Sequence, residues 1–259
     1  MLFRSIFGNN GNKAFDLKQF IAKYGVIIGL IVIFAFFTIM KTKFISVGNI
    51  LNMLRQTSIN GFLAIGMTFV VLTGGIDLSV GSIVGASGMF AALVAREETG
   101  IPWMIAVLVG LLVGLVLGTL NGVIVAYLKV PAFVATLGML SIARGITFMA
   151  SNAKPVPGLS KGFLAIGGGN LWIIPNQVII LAVVLVICFI ILYKCPYGRY
   201  VFATGGNAVS ARVSGVNVKW ITCSVYIISG VLAGLAGIIL TSRVTSGTSQ
   251  SGGNWLCIR

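Results

Sequence analysis

The sequence is short of charge and nearly empty of acid. Its 259 residues include four Asp+Glu and no His, and charged residues make up 8%, against about 25% in ordinary soluble domains. A soluble domain of this length would lack the charged side chains to cover its outside. Asp77 is the single acid inside the apolar part of the chain; Asp16 precedes it, and Glu97 and Glu98 sit in a short loop beside Arg96. Hydrolytic and phosphoryl-transfer sites want paired carboxylates, imidazoles or a metal, so no catalytic residue is expected. No GxxxxGK[ST] occurs, and the chain offers no phosphate-binding loop for ATP. Four cysteines (Cys188, Cys195, Cys223 and Cys257) form no CxxC. Without His they make no metal set, and Cys188 and Cys223 read as small apolar fillers. No cofactor is expected.

Apolar residues make up 58%, with 34 Gly, which excludes disorder because that surface cannot be left in water. The net charge of +14 does not point to nucleic acid. The bases are scattered singly at the ends of apolar runs, where they suit lipid headgroups rather than a clustered basic face. Residues 1–23 are too mixed and too long a lead for a secretory signal. Their Lys13, Lys18 and Lys23 alternate with Phe15, Leu17, Phe20 and Ile21, the pattern of a short interfacial helix.

Windows near the about 20 apolar residues needed to cross a bilayer occur at 24–40, 59–73, 78–95, 102–128, 130–150, 175–193 and 220–241. The fold class is therefore an all-α polytopic membrane protein with about seven transmembrane helices. The second and third windows form a broken helix pair near 74–81, and 44–58 is more polar and expected along the interface. Gly110, Gly114, Gly118 and Gly122 make one smooth stripe; Gly81/Gly85, Gly230/Gly234 and Gly25/Gly29 repeat the spacing. Lipid offers no hydrophobic drive between helices, so small residues that let backbones approach must hold the bundle. With the N-terminus inside, nine Lys/Arg fall on one side and eight on the other, with Arg144 inside a span. That balance leaves orientation open.

Three places carry polar chemistry. Asp77, with Ser79 beside it, either accepts the free N–H groups that begin the next helix or lines a transport path. Arg144 either snorkels towards an interface or faces a polar cavity. The polar stretch 194–219 is either an ordinary loop or a docking element: Asn207 is a good N-cap and Gly215 a good terminator. They enclose about two turns whose surface is small, at Ala208, Ser210, Ala211 and Ser214.

Three ordered motifs, TGGIDLSVGSIVGASG (73–88), GTLNGVIVAYLKVPAFVATLGMLSIARGITFM (118–149) and YGRYVFATGGNAVSARVSGVNV (197–218), resemble the ABC-importer permeases of the ribose/galactoside/xylose type. The resemblance covers about residues 44 to 247. It implies a helical membrane domain, usually of about ten spans, working as a dimer in the bacterial inner (cytoplasmic) membrane. Its partners would be ABC ATPase subunits, a periplasmic sugar-binding protein and a second permease copy. It makes 24–247 the permease domain, 1–23 a cytoplasmic segment and 194–219 the cytoplasmic coupling region, with the N-terminus inside. Arg199, Gly205, Gly206, Asn207, Ala211 and Gly215 match coupling-region positions, and Asp77, Ser79, Asn121 and Arg144 match membrane motifs. Residues 248–259 depart from the family pattern, so the chain reads as truncated at its C-terminus. The rival readings are an ion-coupled secondary transporter, which needs ion-binding or titratable groups at midplane and finds only Asp77 as thin support, and a non-transporting membrane scaffold.

Overall fold

The computed structural model describes residues 17–248. Most of the interfacial helix expected around 13–21 lies outside them or at their edge, as do the tail from 249 and Cys257. The described residues form ten α-helices and one small hairpin, in keeping with the all-α reading. Each of the seven apolar windows falls on a helix: α1 (Leu17–Met40), α2 (Val47–Leu72), α3 (Val80–Val94), α4 (Trp103–Ala126), α5 (Ala132–Ser151), α7 (Asn176–Tyr193) and α10 (Val218–Val244). By length and composition α4, α5, α7 and α10 are long and apolar enough to cross a membrane, while Ile27–Met40 and α3 are shorter apolar helices.

Two expectations change. Residues 44–58 are not a separate interfacial element: from Val47 they run unbroken into the second window as the 26-residue α2, because Asn49, Asn52, Arg55 and Gln56 interrupt the hydropathy but not the helix. Residues 194–219 hold two helices, α8 (Pro196–Gly206) and α9 (Ala208–Val213). Pro196 sits in the first turn of α8, where its missing N–H costs nothing. Between α5 and α7 lie α6 (Lys161–Gly168) and a hairpin of β1 (Asn170–Leu171) with β2 (Ile174–Pro175).

The chain divides into two compact units, one ending at Asn52 and the other beginning at Met53. In the first, the Phe44 ring lies 5.0 Å from Phe34 and 5.7 Å from Phe37, folding the short 3-10 turn Thr42–Ile45 against α1.

The second unit is built around α10, which packs on α4, α3, α6, α8 and α9. α3 is buried almost all round, as a helix in the middle of a bundle must be. The glycine stripe of α4 lies across α10. A Cβ at Gly118 would stand 2.9 Å from Gly230 Cα and 2.6 Å from the Tyr226 carbonyl oxygen, and one at Gly122 2.6 Å from the Cys223 carbonyl. Gly114 faces Gly230 and Gly234 in the same way. Gly88 of α3 meets the α10 backbone at Gly237, 2.8 Å from its carbonyl to a Cβ. On α2, a Cβ at Gly66 would be 3.1 Å from Ser229 Cα. Backbone-to-backbone contact of this kind is how helices associate where hydrophobic drive is absent.

Candidate functional site

The break between α2 and α3 is a seven-residue non-helical segment, 73–79, that begins with a turn through Gly74 at φ +80°. Side chains satisfy its polar groups. Asp77 Oδ1 accepts the Ser79 N–H at 3.0 Å and the Ser79 hydroxyl at 2.6 Å, and its Oδ2 accepts the Ser229 hydroxyl of α10 at 3.0 Å. Asn121 of α4 donates through Nδ2 to Ser79 Oγ at 2.7 Å. Asp77, Ser79, Asn121 and Ser229 are all 1% exposed or less. The Ile76 carbonyl accepts from Tyr226 Oη and Thr136 Oγ1, each at 3.4 Å.

Sequence reading gave Asp77 two roles, and the geometry combines a local turn with a tie between helices. Asp77 takes the N–H two residues on, an Asx-type turn, while Ser79 stands at the N-cap position of α3. Its other oxygen holds α10. Ser79, expected beside Asp77, and Asn121, expected only from the family motif, join the same knot. Ser229 was missed; one serine in an apolar helix gives no signal until its partner is known. Removing that partner leaves a buried carboxylate oxygen undonated, so Ser229→Ala should cost about 1–3 kcal/mol, above the roughly 0.6 kcal/mol typical of interhelical hydrogen bonds in membranes. Unfolding titrations in mixed micelles would read the difference, and a loss no larger than the typical value would mean Asp77 does not depend on α10.

Arg144 stays apart from this knot. It is half-buried on α5, between buried Ala143 and exposed Gly145. Nothing lies within 4 Å of a Cβ placed at Gly138 or Gly145, so this face of α5, with exposed Ser141, is open. A cavity of about 290 Å³ between α3, α4 and α5, lined by Phe90, Leu112, Val113, Val116, Leu117 and Ile146, has no convergent polar groups to orient a hydroxylated ligand.

Four features fix the α8–α9 projection. Asn207 Oδ1 accepts the Val209 and Ser210 N–H groups, both at 3.0 Å, capping α9. Gly215 at φ +86° ends that helix, and the Val216 N–H returns to the Ala211 carbonyl at 3.0 Å, the geometry only a residue free of Cβ adopts readily. Tyr197 of α8 bonds Ser224 of α10 at 2.7 Å; burial pushes this phenol up from its ordinary range, with the Ser224 bond pulling the other way. Gly205 presses on the end of α2: a Cβ there would collide with the Leu72 carbonyl oxygen. Leu72 immediately precedes the break, so the projection touches the segment that carries Asp77.

The six coupling-region residues divide by exposure. Arg199, Gly205, Gly206, Asn207 and Gly215 are exposed, and Gly206 has open space around it. Ala211 is buried and faces its own domain. The outward face of α9 is less small than its sequence indicated, because Val209 is 73% and Val213 85% exposed, four residues apart on one side.

Residues 49–258 match the family described as branched-chain amino acid transport system / permease component. The chain is 41% identical to the ribose import permease protein RbsC of Haemophilus influenzae, covering 94% of this chain and 76% of that protein. It is 42% identical to the Bacillus subtilis ribose import permease protein RbsC, over 89% of this chain and 71% of that one. The D-allose transport system permease protein AlsC of Escherichia coli is 36% identical over 93% of this chain and 74% of its own length. The chain belongs to this permease family. The permease is a multi-pass protein of the bacterial inner membrane and a transport component. No solved structure gave a significant match. The motifs that carried the resemblance hold the Asp77 knot (73–88 and Asn121) and the α8–α9 projection (197–218).

Proposed function

We propose that the permease is the membrane subunit of an ATP-driven ABC importer for a monosaccharide of the ribose type. Its 41% identity to a ribose import permease supports the substrate class. The observation that carries the mechanism is the α8–α9 projection: a capped helix with an exposed Val209/Val213 face, seated through Gly205 on the end of the broken helix. A separate ABC ATPase docks on this face, which is cytoplasmic in the proposed orientation. Nucleotide drives the cycle by favouring one ATPase arrangement over the other, and the docked projection passes that motion through Gly205 to Leu72 and the 73–79 segment. Asp77, Ser79, Asn121 and Ser229 keep the segment in one piece while it moves. Arg144 and the open Gly138/Ser141/Gly145 face of α5 line the path, with Arg144 and Ser141 as its polar groups. A second copy of the permease completes that path, and a periplasmic sugar-binding protein delivers substrate at the opposite end of the bundle.

The test is uptake of radiolabelled ribose into vesicles carrying the permease, the ABC ATPase and the sugar-binding protein. Uptake should require ATP and all three components. Uptake that persists without ATP and follows an ion gradient would replace this reading with a secondary transporter. Failure to hold the ATPase through purification would leave a membrane scaffold.

A further inference from the structure

At the end of the bundle away from α8, the chain between α6 and α7 forms a rigid finger with an apolar tip. Its base is pinned. The Asn176 N–H donates to the Gly169 carbonyl at 3.1 Å, Asn176 Nδ2 to the Ala165 carbonyl at 2.8 Å, and buried Gln177 Nε2 to the Gly167 carbonyl at 2.6 Å. Arg55 of α2 donates to Asn170 Oδ1 at 2.8 Å. β1 and β2 pair Leu171 with Ile174, leaving Trp172 and Ile173 as a two-residue turn. Leu171 is 64%, Trp172 96%, Ile173 66% and Ile174 51% exposed. Trp172 adopts φ +57°, a conformation that is uncommon for a bulky residue and one hairpin turns usually assign to Gly or Asn. Four consecutive apolar side chains at a strained tip are costly in water.

We propose that this tip is an interfacial anchor that sinks into the outer region of the lipid bilayer. Several observations together select lipid over a protein partner. α7 begins one residue after the hairpin and is 18 residues long, about 27 Å against a hydrocarbon core of about 30 Å, so its first turn lies at the boundary. Most of its side chains from Val183 to Ile190 stay open, so α7 is a peripheral helix of the bundle and the hairpin at its start stands beside lipid. Apart from the Trp172 indole N–H, the tip has no polar side-chain group to form the hydrogen-bonded rim of a protein interface. The Trp172 indole N–H has no acceptor among the described residues, a demand that headgroup carbonyl and phosphate oxygens meet, as in the aromatic belts of membrane proteins. Arg55 at the base sits where its remaining guanidinium donors reach phosphate. The inference needs only a membrane-embedded chain and is independent of the sugar reading.

The chain has four Trp, so the test is a difference between the intact protein and Trp172→Phe. Both are placed in phosphatidylethanolamine/phosphatidylglycerol vesicles, and their fluorescence is compared with phospholipid brominated near the headgroup end of the acyl chain and with aqueous iodide. The bromolipid should remove most of the difference signal and iodide should leave it nearly intact. Quenching by iodide alone would put the tip in water; resistance to both quenchers would put it under protein; either result overturns the anchor. A second measurement needs no subtraction: p-benzoylphenylalanine replacing Trp172 should photocrosslink to phospholipid in the assembled transporter. Adducts only to protein, such as the substrate-binding subunit, or no adduct at all, would sink the proposal.

Discussion

Gly118→Leu should abolish the folded permease, and even Gly118→Ala should destabilise it by about 3 kcal/mol, the upper range for overpacking. The reason is that the colliding atoms are backbone. A methyl at Gly118 would stand 2.9 Å from Gly230 Cα and 2.6 Å from the Tyr226 carbonyl, and neither atom has a rotamer to escape into. α4 and α10 would have to separate along their length, losing the close contact at Gly114 and Gly122 too. That separation would also pull Asn121 away from Ser79, so the damage would reach the polar knot. Gly138→Ala on α5, where nothing lies within 4 Å, is the control and should be neutral. Melting curves in detergent, read by loss of the monodisperse peak on size-exclusion, separate the outcomes. A Gly118→Ala protein as stable as the Gly138→Ala control would show that the α4–α10 contact does not hold the bundle.

The second large effect is expected at the α8–α9 projection. Gly205→Val should lose nearly all transport and also lower the melting temperature of the isolated permease, because the new side chain would be driven into the Leu72 carbonyl. Gly206→Leu, one residue on, meets open space. It should leave the isolated permease as stable as the parent and weaken its association with the ATPase. The pair separates an internal contact from a docking contact by two readouts, thermal stability and co-purification of the ATPase. If Gly205→Val transported normally, the end of α2 would not be the route by which motion enters the membrane domain. If Gly206→Leu bound the ATPase as tightly as the parent, the docking surface would lie elsewhere.

Much of the architecture was legible because lipid imposes a coarse, strong pattern. Seven apolar windows became helices, and the glycine stripe of α4 announced a close crossing, though its partner on α10 could not be read from spacing. Composition failed where a helix is polar or short. The first half of α2 carries Asn49, Asn52, Arg55 and Gln56 and so looked like interface. α8 was hidden because YGRYVFATGG contains three glycines that resemble turn residues, yet Gly198 and Gly205 are there to let backbones approach. α6 and the hairpin gave no period at all. At the site, Asp77 and Ser79 were visible as polar residues out of place, and Asn121 only through the family motif that contains it. Ser229 was not, since only the three-dimensional crossing of α10 over the break gives it a role. Ala211 shows the opposite error: a small residue read as surface that is buried.

α10 is fastened at its two ends and near its middle: Ser224 to Tyr197 of α8, Ser229 to Asp77, and Ser242, which accepts the Gly167 N–H and donates to the Phe163 carbonyl of α6, both at 2.7 Å. Its 27 residues make a beam about 40 Å long. A pivot of only about 5° at one tip sweeps the other by about 3 Å at that length, the scale of a broken hydrogen bond. The α8 end and the α6 end of the bundle are thereby joined through one beam, and a tilt imposed at either is felt at the other.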